Sequence, residues 1–327
     1  MRRIRVIGGG PAGASAAIAA RQECAEVDLF EKSRFPRHKV CGEFLSPEIA
    51  EVLDRLGVWG SLEAEHPAVI RRLALYFRSG EKHSKLPEAA FGLSRYRFDA
   101  LLFDEAVRLG SRVTREAGET GNGPVVIAHG RKAAVRKGRR VFGFKAHFQG
   151  PVDDAVELFF FGGCYVGLNP VEGGVTNVCG LGPEDLLTSR GFDIDEVVRS
   201  FGPLRERLAP LARSMDWLKV GPLVYGNRFA GDVAEAEYPA GDALQFVDPF
   251  TGSGLLSAVT AGRLAGIAAA RGTPSREYVR ECRRRLETPF HVSSFLRSAL
   301  ATGWAERLAA FVPGSWLVHL TRPHRVA

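Results

Sequence analysis

The feature that most constrains this chain is Val6-Ile7-Gly8-Gly9-Gly10-Pro11-Ala12-Gly13, an apolar run that ends in glycines and opens at once into an alanine-rich stretch. Arg3 to Ile7 reads as a short buried strand, and Gly8, Gly10 and Gly13 take the GxGxxG positions ahead of a helix. In that pattern the first glycine permits a tight turn, the second lets the main chain approach a pyrophosphate, and the third lets helix and sheet pack closely. Pro11 suits the first helical position, where no N–H is needed. With Ala12 it forms a helix start whose free N–H groups and positive dipole end favour phosphate. EVDLF at 26–30 is the next strand, closed by Glu31 and Lys32. Glu31 stands where an acid accepts hydrogen bonds from an adenosine ribose. An acid there disfavours a 2′-phosphate and narrows the dinucleotide to FAD or NAD.

A stretch after residue 237 separates those two. YPAGDALQFVDPFTGSGLL reads as a strand ending in Gly241-Asp242, a loop with Pro249, and a small-residue helix opened by Thr251-Gly252-Ser253-Gly254 and continued from Leu255. A carboxylate at a strand end can take the ribityl hydroxyls of a flavin, while Gly252 and Gly254 let the backbone lie against an isoalloxazine ring. The helix N-terminus then favours negative charge on the reduced ring. NAD needs no such second site, so the pattern points to FAD.

Four stretches also carry a family resemblance: the N-terminal fingerprint, FEKSRFPRHKVCGEFLSPE at 30–48, SRYRFDALLFDEA at 94–106, and the segment from Ala240 to Ala258. On these the chain resembles the geranylgeranyl reductase-like branch of the FAD-dependent flavoprotein monooxygenase superfamily, whose fold is like that of p-hydroxybenzoate hydroxylase. The resemblance implies an FAD-dependent oxidoreductase that reduces a C=C bond or hydroxylates an apolar or aromatic biosynthetic substrate. It further implies that Arg37, Cys41 and Gly42 line the flavin, that Arg95 approaches the phosphate side of FAD, and that Gly241 and Asp242 hold the cofactor. Cys41 is in addition a candidate substrate contact.

Two departures limit what is carried over. Where the wider superfamily has Ala-Asp-Gly, this chain has Ala128-His129-Gly130-Arg131, so NADH or NADPH stands only as a candidate electron donor. Where isoprenoid reductases and flavin halogenases carry tryptophan-bearing runs, this chain has Tyr165-Val166-Gly167-Leu168-Asn169-Pro170, keeping the tyrosine and the proline. Halogenation is therefore not expected, and reduction of a geranylgeranyl chain does not follow from the resemblance. Tyr165 is a candidate substrate contact, in an aromatic patch with Phe159, Phe160 and Phe161. No residue stands out as a general acid or base. Two other classes of function compete: a flavin-binding module without turnover, and an NAD-linked dehydrogenase.

The order of the stretches predicts an α/β protein: a Rossmann-like FAD-binding domain over 1–69, 91–135 and 233–285, an inserted substrate-binding sheet over 70–90 and 136–232, and a C-terminal helical tail over 286–327. The sheet is read from a strand pair at 70–77 and 82–86 and from the runs VFGFKAHF, AVELFFFGGCYVGL and GVTNVCGL. FDIDEVVRSFGPLRERL at 192–208 reads as one amphipathic helix, and Pro289 divides the tail into two. The tail is expected to pack on its own domain, with contact at a membrane surface as the alternative.

With 327 residues, 45% hydrophobic and 25% charged, and no apolar run near 18 residues, the chain reads as a soluble globular protein. The first strand begins almost at once, leaving no room for a signal peptide, so a cytoplasmic location is expected. The net charge of +7 suits an anionic small-molecule or carrier-bound substrate. Nucleic acid is not expected, because the basic run 131–140 lacks interleaved aromatics. Five cysteines form no CxxC pair and no zinc spacing, so no metal site is expected. Cys164 and Cys179 flank the turn at Pro170–Gly173 and read as small core residues, with facing one another across a hairpin as the alternative.

Overall fold

The structure, a computed structural model, describes residues 1–130, 140–223, 233–245 and 252–286. In chain order it runs β1 (Arg3–Ile7), α1 (Pro11–Gln22), β2 (Glu26–Phe30), β3 (Phe44–Leu45), α2 (Ile49–Arg55), α3 (Trp59–Ala64), β4 (Ala68–Phe77), β5 (Gly80–Gly92), α4 (Arg95–Arg108), β6 (Arg112–Thr114) and β7 (Val125–Ile127). There follow β8 (Val141–Gln149), β9 (Ala155–Phe161), β10 (Cys164–Val171), β11 (Val175–Pro183), α5 (Glu184–Thr188), α6 (Ile194–Arg199), α7 (Gly202–Leu208), β12 (Ala212–Arg213), β13 (Leu218–Leu223), β14 (Glu237–Pro239), α8 (Gly254–Arg271) and a helix over 275–286. Pro249, Arg131 and most of the basic run, and the 287–327 tail with Pro289 lie outside the described residues.

The smaller sheet is parallel, in the order β14-β7-β1-β2-β6. Parallel strands need helical crossovers that bury the sheet faces, and here α1 supplies one between β1 and β2. α8 then packs on α1 through an i, i+4 glycine pair. A Cβ on Gly262 would lie 2.1 Å from Ala12 O, and one on Gly266 2.2 Å from Ala16 O, so the two backbones touch. Gly262→Val is therefore expected to force the helices apart and cost about 3 kcal/mol. Urea unfolding checks this, and an unchanged midpoint would contradict the close approach.

The larger sheet runs β12-β8-β11-β10-β9-β4-β5-β3, with β13 also on β8; it is antiparallel except at β4–β9. Directly opposed residues share a face. The pairs Tyr165↔Leu181, Gly167↔Cys179, Asn169↔Asn177, Cys179↔Lys145 and Asn177↔His147 thus set a largely polar row on one face. The other face carries Phe144, Phe148, Phe159, Phe161, Val166 and Val178 against Val197, Phe201 and Leu204 of the α6–α7 region.

Three sequence expectations change here and one alternative is excluded. AVELFFFGGCYVGL is two strands, because Gly162 and Gly163 both take positive φ (57° and 75°) in a two-residue hairpin turn. The segment 192–208 is two helices, α6 and α7, with Pro203 in the first turn of α7. Cys164 pairs with Phe161 and points into the apolar face, whereas Cys179 opposes Gly167 on the other face, so these two thiols do not meet. The aromatic patch divides in the same way: Phe160 lies with Tyr165, at 6.4 Å between rings, while Phe159 and Phe161 turn to the opposite core.

Candidate functional site

The three fingerprint glycines divide into two that packing demands and one that leaves open space. At Gly8 (φ 101°) a Cβ would stand 2.4 Å from Ala128 O, and at Gly13 it would stand 1.7 Å from Gly8 O, so both are demanded by protein packing. At Gly10, which is extended (φ −71°, ψ −174°), a Cβ would meet nothing within 4 Å among the described residues. That space opens at the start of α1, where Pro11 leads the helix and no side chain caps it. Glu31 is buried at the adjoining strand end; its Oε2 accepts from Gly9 N at 2.8 Å and its Oε1 from Ser33 N at 2.7 Å. A carboxylate has about four lone-pair positions, so Glu31 keeps capacity for further donors. Arg37 Nη2 lies 3.7 Å from Glu31 Oε1 with its guanidinium over the Phe35 ring, and Lys32 is exposed.

The later stretch arrives beside that cradle. Gly241 (φ 60°) opens a 3-10 turn over Gly241–Ala243, and a Cβ there would come 3.0 Å from the Ala12 methyl. Asp242, the next residue, is exposed. Gly252 (φ 64°) lies against the Phe44 ring, which a Cβ would meet at 2.8 Å. Buried Ser253 and exposed Gly254 then begin α8 without a side-chain cap, and Leu255 is buried. Gln245 was not anticipated. It is 5% exposed and neither atom of its amide finds a partner among the described residues, although it lines a crevice with Gly241, Asp242, Gly254 and Ser257. A buried orphan amide costs free energy unless a ligand or water answers it. The only sequence signal was one glutamine inside an otherwise apolar run.

Between this cradle and the polar face of the larger sheet runs the loop from Arg37 to Phe44. Asn177 Nδ2 donates to Cys41 O at 3.2 Å and to Gly42 O at 2.9 Å. Glu43 is fully buried and collects three donors from two elements: Arg95 N of α4 at 2.6 Å, and from β8 the Lys145 ammonium and His147 Nε2 at 2.7 Å. Burial alone would raise the Glu43 carboxyl, but the hydrogen bond from His147 and the charge of Lys145 hold it below the ordinary value. His38 rings 5.2 Å from His147 and 4.9 Å from Tyr96; burial and the nearby Lys145 charge push its imidazole down. Lys39 is exposed by surface area, yet partial desolvation of its ammonium, then the charges of Arg37 and Arg95, lower it.

One ligand atom each of His38, Glu43 and His147 falls within 4.8 Å of the others. Lys145 already sits on Glu43 and would oppose a divalent cation, so this cluster reads as a neutralised hydrogen-bond network. Arg95 does not project freely. Its guanidinium forks onto buried Asp99 at 2.5 and 2.7 Å and lies against Cys41, and although burial disfavours its charge, Asp99 raises its pKa overall. Ser94 caps α4 by accepting from Arg97 N at 3.2 Å, and Glu172 takes the Ser94 N–H at 2.7 Å. Tyr165 stands farther along the sheet face, packed with Leu75, Leu158 and Phe160. Glu43, Lys145, His147 and Asn177 escaped sequence reading because no local pattern links residues so far apart.

No protein-family model matches the chain. It is 35% identical over 116 residues to tryptophan 2-halogenase of Chondromyces crocatus, which is 34% of this chain and 22% of that protein. It is 42% identical over 53 residues to menaquinone reductase of Mycolicibacterium smegmatis, 16% of this chain and 13% of that protein. The matched segments thus span less than a quarter of either curated relative. Among solved structures, a flavin-dependent brominase carrying three substitutions superposes with a TM-score of 0.79 at 17% identity, covering 97% of this chain and 93% of that one. A geranylgeranyl bacteriochlorophyll reductase-like protein from Thermoplasma acidophilum gives 0.70 at 16% identity, covering 98% and 92%. The chain therefore has the two-sheet α/β fold of these flavoproteins. That fold spans brominase and reductase-like proteins alike, so it is wider than the branch its motifs resemble. Among the described residues no helix is long and apolar enough to cross a membrane.

Proposed function

We propose that this protein is an FAD-dependent oxidoreductase acting on an apolar or aromatic small molecule, free or carrier-bound, held between the cofactor and the larger sheet. One observation carries the reading. The open position at Gly10, the Asp242 turn, the uncapped start of α8 and the orphan amide of Gln245 converge on one side of the parallel sheet. A dinucleotide fits that set of donors and acceptors: Glu31 for ribose hydroxyls, the amides opening α1 for pyrophosphate, Asp242 for ribityl hydroxyls. The loop with Arg37, Cys41 and Gly42 would lie along the ring.

When bound, FAD supplies hydride transfer or oxygen chemistry, and the protein supplies orientation, electrostatics and exclusion of water. The positive end of α8 favours negative charge on the reduced cofactor. Tyr165 with Leu158 and Phe160 offers an apolar surface bearing one phenol. The substrate chemistry proposed is saturation of a C=C bond or hydroxylation, with NADH or NADPH as candidate electron donor.

Titration of the purified protein with FAD, followed by absorbance, tests the reading; stoichiometric uptake is expected, and none at saturating FAD would overturn it. Anaerobic mixing with NADH, NADPH and dithionite then separates an enzyme from a silent module: bleaching by a nicotinamide supports turnover, while resistance to all three favours the module. Asp242→Ala is expected to weaken FAD binding by about 1–3 kcal/mol through unpaired ribityl hydroxyls. An unchanged dissociation constant would remove Asp242 from the cofactor's partners.

A further inference from the structure

The loop carrying Cys41 crosses the polar face of the larger sheet at β11. Asn177 holds the carbonyls of Cys41 and Gly42, and Cys179, two residues on along the same strand, projects from the same face. The Cys41 main-chain amide acts on the Cys179 sulfur, and the charge of an ionised Cys41 would raise the Cys179 thiol. Cys41 is thus laid across β11 with its carbonyl at Asn177 and its amide at Cys179. Cys164, the other cysteine of this hairpin, faces the opposite core. Cys41 and Cys179 are both partly exposed, so an oxidant from solvent can reach the pair, and desolvation pushes the Cys179 thiol up, which favours Cys41 as the sulfur oxidised first.

We propose that Cys41 and Cys179 form a reversible disulfide, an oxidative modification site that ties the Arg37–Phe44 loop to the larger sheet. The oxidant is a peroxide. The Cys41 sulfur attacks one oxygen of hydrogen peroxide and breaks the O–O bond, leaving a sulfenic acid, while the second oxygen departs as water with the thiol proton. The Cys179 sulfur then displaces the sulfenic hydroxyl, which leaves as a second water with the Cys179 proton. Two thiols and one peroxide thus give one disulfide and two waters. The bond depends only on how the loop lies on the sheet; its consequence, a fixed loop and a masked thiol beside the flavin, rests on the function proposed above.

The test treats the purified protein, with and without added FAD, with hydrogen peroxide, blocks remaining thiols with iodoacetamide, and maps unreduced peptides by mass spectrometry. A linked pair of peptides containing Cys41 and Cys179, released by dithiothreitol and absent from Cys41→Ser and Cys179→Ser, is expected. The proposal is overturned if both thiols remain alkylatable after peroxide, if Cys41 accumulates as sulfinic acid without a cross-link, or if Cys179 joins a different cysteine. Because the wild-type map is read without FAD as well, failure of the protein to bind flavin leaves this result intact.

Discussion

Lys145→Met is expected to destabilise the folded protein by about 3–5 kcal/mol, because it leaves a buried carboxylate without its cation. The side chains of Lys145 and Glu43 have no exposed surface, and methionine keeps most of the lysine volume, so the loss is electrostatic. Glu43 joins the Arg37–Phe44 loop to α4 through Arg95 N and to β8 through Lys145 and His147, and its charge must stay answered for these elements to meet. The double variant Lys145→Met with Glu43→Gln should recover most of the loss, since a neutral amide can still accept from Arg95 N. Urea unfolding of Lys145→Met, Glu43→Gln and the double variant at neutral pH checks this through a double-mutant cycle; a Lys145→Met protein with the wild-type midpoint would refute it.

The same cluster sets a pH dependence. The Glu43 carboxyl is held below its ordinary 4.5 in the folded protein. Its stabilisation is therefore complete above the unfolded value and is lost as pH falls through the lower folded one. Lys145→Met should move that loss to higher pH, and Glu43→Gln should remove this component of acid sensitivity.

The contrast between this cluster and the glycine cradle explains what a sequence can disclose. Gly8, Gly10, Gly13 and Glu31 are legible because they lie within one strand–helix–strand unit, where fixed spacing enforces fixed geometry. Glu43 meets Lys145 and His147 across 102 and 104 residues, and only the register of β8 against β11 decides which side chains face the loop. Register also decides against the alternative that Cys164 faces Cys179. Both sit on strands of one hairpin, but Cys164 lies an odd number of positions from the Gly167 that opposes Cys179, which turns it to the other face. In AVELFFFGGCYVGL the aromatic density masked a two-glycine hairpin turn. Gln245 stayed hidden because a single polar residue in an apolar run is informative only once its burial is known.

Gly10→Val is expected to abolish FAD retention while leaving the protein folded, and the two halves of that result together locate the cofactor. Gly10 adopts an extended conformation open to any L-residue, and a Cβ there meets no atom of the described residues within 4 Å. The apoprotein should therefore unfold within about 0.5 kcal/mol of wild type, as surface substitutions do. A branched side chain would instead occupy the approach of a pyrophosphate to the α1 amides. Loss of those charge-assisted hydrogen bonds, at about 1.5–3 kcal/mol each, should weaken binding by about 100-fold or more. Gly13→Ala provides the contrast, since its methyl would lie 1.7 Å from Gly8 O and disturb the turn itself, so it should lose stability together with binding. FAD titration and urea unfolding of both variants distinguish a ligand-facing glycine from a packing one. A Gly10→Val protein that binds FAD as wild type would mean that the open space at the head of α1 is not where the phosphates lie.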